Sequence, residues 1–200
     1  MRRVRAIWLA GLLSFVLVSC GGDLPTTSGP GANATASRAP AAAAGASNRP
    51  IVVDPRLLKI LPASVAGFPV KASPGSAANM IGDAALGASA SAVAVGSVVA
   101  AGNSRSDDLA VATVVKLRPG IYSDGFYDDW RKAYDKAACE PAGGVSSHVQ
   151  QLIGPHAVEV TVCAQGVRTY HTHLAGDVLV SITAVGDRKF GDLVMAGLRG

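Results

Sequence analysis

Four histidines, two cysteines in the second half of the chain and a handful of carboxylates are the residues from which any chemistry would have to be built. His171-Thr172-His173 has the most ligand character. Residues two apart in a strand point to one face, so both imidazoles can grip a single zinc or copper ion. His148, His156 or Glu159 would have to complete such a site; the plainer reading is a polar sheet face or an edge. Asp128 and Asp129 are adjacent on a predicted helix and diverge by about 100° of rotation, which suits a solvated face better than a catalytic pair. Trp130 and Tyr134 lie on the apolar stripe of that helix. They pack under a sheet, or they contact a ligand if the helix borders a groove. A Ser-His-Asp set would meet in space rather than in sequence, and nothing in the order of residues singles one out. There is no G-x-S-x-G, phosphate loop, H-E-x-x-H or dinucleotide fingerprint. No cofactor is expected beyond a metal at His171 and His173, and an enzyme of any class lacks its signature.

Cys139 and Cys163 form an even pair without C-x-x-C spacing. In an exported chain that arithmetic predicts a disulfide joining the end of the Trp130 helix to the end of a strand; a reactive thiol or metal pair is the rival reading. Closing a loop of about 25 residues would contribute about 3 kcal/mol in the chain-entropy model.

Export itself is written at the front. Arg2, Arg3 and Arg5 precede an uncharged apolar run from Ile7 to Val18, which is too short to span a bilayer as a helix but suits a signal-peptide core. The run ends in Leu17-Val18-Ser19-Cys20, which resembles the lipobox of bacterial lipoproteins. The resemblance implies that residues 1–19 are removed, that Cys20 is lipidated, and that the chain is held on the outer face of the cytoplasmic membrane with its domain extracytoplasmic. More than one acyl chain is needed for firm anchoring. The Arg2-Arg3 pair alone does not make a twin-arginine signal.

Composition then divides what remains. Of residues 21–50, 24 are Ala, Gly, Pro, Ser or Thr, and none is aromatic. Such a stretch buries too little surface to offset its ordering entropy, so 20–50 reads as a disordered tether. Residues 51–200 are long enough for a single domain. The formal charge of +4 comes largely from the front: without Arg2, Arg3 and Arg5, 15 basic residues face 14 acidic ones. A near-neutral chain with no basic run argues against nucleic acid as a partner.

Within the domain, Asp54-Pro55 is a helix-start signal, and Gly67 to Val70 reads as extended. Residues 84–104 are uncharged. They admit a membrane span, but their Ala, Ser and Gly content favours a small-residue helix over 77–91 followed by a strand over 93–101. Alternation predicts a strand over 109–117. Ser123 caps a helix to about 138, with Phe126, Trp130, Ala133, Tyr134 and Ala137 as its stripe. Strands over 145–152, 157–163, 167–174 and 178–185 follow, separated by glycine turns, and a helix over 188–198 closes the chain.

The order from Leu109 to Arg199, with Val167-Arg168-Thr169-Tyr170 leading into Val178-Leu179-Val180-Ser181-Ile182 and a final helix, resembles the PsbP-like sandwich, which includes LpqN-like lipoproteins. The resemblance implies an α+β fold: an antiparallel sheet of about five to six strands with two to three packed helices. It also implies a binding or assembly role rather than catalysis. The expectation is a non-catalytic envelope lipoprotein binding a partner protein or a hydrophobic small molecule. Metal binding at His171 and His173 is the alternative, and an enzyme of unknown class the second alternative.

Overall fold

The computed structural model describes residues 50–100 and 108–200. The expected signal peptide, the lipidation site Cys20 and all but the last residue of the expected tether lie outside the described residues.

The chain runs β1 (Val52–Val53), a 3-10 helix (Pro55–Ile60), β2 (Ser64–Val65), β3 (Phe68–Pro69), β4 (Lys71–Ala72), α1 (Pro74–Met80) and α2 (Ala84–Ser89). The longer elements follow: β5 (Ala90–Val99), β6 (Leu109–Leu117), α3 (Asp124–Cys139), a short 3-10 turn (Glu140–Ala142), β7 (Val145–Ile153), β8 (His156–Cys163), β9 (Arg168–Leu174), β10 (Val178–Val185) and α4 (Phe190–Ala196). Eight strands make one sheet in the order β1-β5-β6-β10-β9-β8-β7, with β4 also paired to β5. Only β1 joins in parallel; β2 and β3 form a separate two-stranded pair.

The architecture is the mixed α+β sheet expected, with more strands than the five to six anticipated. The excess comes from two-residue pieces such as β1 and β4, over which no alternation can be read. The small-residue segment also differs. Instead of one helix over 77–91 there are two short ones, because Gly82-Asp83 interrupts them and the Asp83 carboxylate caps α2 by accepting from the Leu86 N–H at 2.9 Å. β5 then begins at Ala90. The uncharged residues up to Val99 are thus divided between α2 and a sheet strand, and no helix among the described residues is long and apolar enough to cross a membrane.

Helices cover both faces. On one, α4, the first 3-10 helix and the β2–β3 pair enclose Val114, Val158, Tyr170, Val180, Ile182 and Phe190. This core is tight at Gly191. A Cβ there would collide with the Tyr170 ring, so only glycine lets α4 approach β9 so closely. On the other face, α2 and α3 lie over Val93, Val115, Leu117 and Leu179. α3 starts as predicted, with Ser123 Oγ accepting from the Phe126 N–H at 3.1 Å. Its inward face is rotated from the expected stripe, however: Ala133 is exposed, whereas Asp135 and Cys139 are buried.

Candidate functional site

The sheet under the second half of α3 is polar. Thr161 on β8, Thr169 and His171 on β9, and Ser181 on β10 all point to that helix, and all are buried. A carboxylate meets them there. Asp135 Oδ1 accepts from His171 Nε2 at 2.8 Å and from the Thr169 hydroxyl. Its Oδ2 accepts from Thr161 at 2.7 Å, with the Arg131 guanidinium 3.4 Å away. Burial alone would raise the Asp135 pKa; the hydrogen bonds from His171, Thr169 and Thr161 outweigh it and hold the carboxyl below its usual range.

The network continues beyond the histidine. His171 Nδ1 lies 2.9 Å from Ser181 Oγ, which also accepts from the Trp130 indole N–H at 3.2 Å. One proton on Nε2, donated to Asp135, leaves Nδ1 to accept the serine hydroxyl, so every donor finds an acceptor. Asp135, His171 and Ser181 therefore form a Ser-His-Asp chain that sequence order did not reveal. It is closed. Ser181 is 1 % exposed, and the indole of Trp130 occupies its oxygen. Tyr134 stands beside it, bonded to Thr183 at 3.0 Å and edge-on to His171. Trp130 and Tyr134 thus pack α3 onto the sheet rather than line a groove.

His171 and His173 do share a face, but not a ligand site. Both ring nitrogens of His171 are engaged by Asp135 and Ser181. His173 lies flat against Tyr122, with ring centroids 3.6 Å apart, and its buried Nε2 has no hydrogen-bond partner. Burial lowers its pKa, against the opposing pull of Asp177 and Asp124. Among the described residues no group of three or more His, Cys, Asp or Glu is placed to hold a metal. His156 stands apart at the start of β8, whereas His148 pairs with Glu159 at 2.8 Å and with Thr161 at 2.9 Å. Asp128 pairs with Arg131 and Lys132, and Asp129 is exposed.

Cys139 and Cys163 are brought to bonding distance, Sγ–Sγ 2.00 Å, with Cα atoms 5.1 Å apart. The bond ties the end of α3 to the end of β8, as expected.

Outside the network, the sheet ends at β7. Eight of its nine residues are exposed, and no strand among the described residues pairs with its outer side. Val145, Val149 and Leu152 expose large apolar surface along it. Between β7 and α3 lies a cleft of about 510 Å³, with Arg131, Lys132, Lys136, Val145 and His148 in its walls and Asp135 and Thr161 of the polar network among its lining residues.

Sequence reasoning missed Asp135, Thr161, Thr169 and Ser181. For the three sheet residues the only signal was a polar residue at alternate positions of β8, β9 and β10, which reads equally well as a solvated sheet face; Asp135, on α3, had none. No family model, curated protein or solved structure matches this chain.

Proposed function

We propose that this chain is a non-catalytic envelope lipoprotein, anchored through Cys20, whose folded domain has a PsbP-like arrangement and binds a partner protein along β7. The observation that carries the reading is the open edge: nine residues of strand with unpaired backbone on one side and Leu152 78 % exposed. Unpaired edges are ready templates for strand addition.

A photoreactive amino acid at Leu152 in intact cells should yield a discrete protein adduct. The same group at Asn79, exposed on α1, should not. Equal smears from both positions, or no adduct from either, would count against the reading.

The enzyme reading has one observation in its favour, the Asp135-His171-Ser181 chain. Acyl transfer through Ser181 requires α3 to lift Trp130 off the serine oxygen. A fluorophosphonate probe decides it: labelling that disappears in Ser181→Ala would establish a reactive serine, and none is expected.

A further inference from the structure

Edge strands usually carry charges or proline that discourage pairing. β7 has neither: Val145-Ser146-Ser147-His148-Val149-Gln150-Gln151-Leu152-Ile153 contains no Lys, Arg, Asp, Glu or Pro, and its one irregularity, a bulge between Val145 and Ser147, leaves the ladder from Ser147 to Ile153 regular. His148 reaches Thr161 and the α3 side, so by alternation Gln150 and Leu152 share that side, and Ser147, Val149 and Gln151 take the other. The cleft lies on the α3 side too, with Gly144, Val145 and His148 along its β7 wall. Arg131 and Lys132 at its rim both pair with Asp128, which leaves their aliphatic stems as contact surface.

We propose that the occupant of this edge is a second copy of the chain. Two β7 strands pair antiparallel about a two-fold axis perpendicular to the sheet, and Leu152 of each copy enters the cleft of the other. The inference rests on the reading of β7 as a protein-binding edge and names its partner. The two-fold keeps faces together, so α3-side residues meet α3-side residues. With the axis at Val149, that residue faces its own copy, His148 faces Gln150, and Leu152 faces Ser146, next to Val145 in the cleft wall. Moving the axis to Gln150 sets Leu152 opposite His148, which also lines the cleft, so the placement survives that change of register. Self-pairing brings each central side chain near its own kind, where a charge would repel itself; β7 has no Lys, Arg, Asp or Glu.

The test uses the chain as purified in detergent from bacterial membranes. Sedimentation equilibrium in density-matched detergent should show a reversible dimer. Leu152→Asp, at an exposed position, should weaken it tenfold or more without changing the circular dichroism spectrum. Val149→Cys should give a covalent dimer on mild oxidation, because facing residues lie about 5 Å apart between Cβ atoms, whereas Asn79→Cys should not. A monomer up to millimolar concentration, or equal cross-linking of both cysteines, overturns the proposal. If the chain stays monomeric while the photoreactive group at Leu152 captures a different protein, self-pairing fails and the partner-binding reading stands. If neither occurs, both fail.

Discussion

At the scale of single residues, Asp135 is the pivot of the molecule's buried chemistry. His171, Thr169 and Thr161 converge on it; Thr161 also reaches His148, but His171 Nε2 and the Thr169 hydroxyl would be stranded without it. Asp135→Ala should therefore cost about 2–6 kcal/mol, at about 1–3 kcal/mol for each of the two buried donors left without an acceptor. Asp135→Asn, which keeps an acceptor oxygen, should cost about 1–3 kcal/mol; urea titrations would distinguish these losses from a negligible effect. Among the shifted groups, His173 and Asp135 move the pH response in the same direction. His173 is pushed below its ordinary 6.5 by burial, so on acidification the unfolded chain takes up a proton before the folded one does, and stability falls as pH drops below about 6.5. Asp135, held below 3.8, adds a second loss as pH falls from there toward its folded pKa. His173→Phe keeps a ring against Tyr122 and removes both the titration and the unpartnered Nε2. Stability at neutral pH should hold or rise, and the decline as pH falls below about 6.5 should flatten. An unchanged slope in denaturant titrations at several pH values would refute this role for His173.

At the scale of elements, α3 is fixed at both ends by features already legible in the sequence. Ser123 caps its start, and Cys139 ties its end to β8. The two cysteines are 24 residues apart, so replacing both by alanine should cost about 3 kcal/mol if unfolded-state entropy dominates. The loss should appear in thermal unfolding as a lower midpoint and should match that of the reduced wild type. Which face of α3 turns inward was less legible. Spacing at three and four residues selects Phe126, Trp130 and Tyr134 correctly, because apolar burial sets that stripe. It cannot place Asp135, since a helix position opposite threonine, histidine and serine is buried for polar reasons that exist only once β8, β9 and β10 are side by side. β1 and β4 escaped notice for a related reason: two residues become strand through the neighbour they pair with, not through their own pattern.

At the scale of the whole molecule, the sheet is closed over by helices on its faces and left open at β7. If two copies share that edge, mass action links assembly to folding. The unfolding midpoint of the wild type should rise with protein concentration, and that of Leu152→Asp should stay flat. A midpoint independent of concentration in both would speak against the shared edge. The succession of long strands, the two principal helices, the glycine turns and the cysteine pairing followed from the chain alone, because hydrophobic period, capping and turn chemistry act between residues close in sequence. Only the tertiary structure decided that the polar face of β8, β9 and β10 is covered rather than solvated, that His171 spends both nitrogens on Asp135 and Ser181, and that β7 is left outermost. Those depend on strand order and on which helix crosses which face, and such long-range pairings leave no mark on any one stretch of sequence.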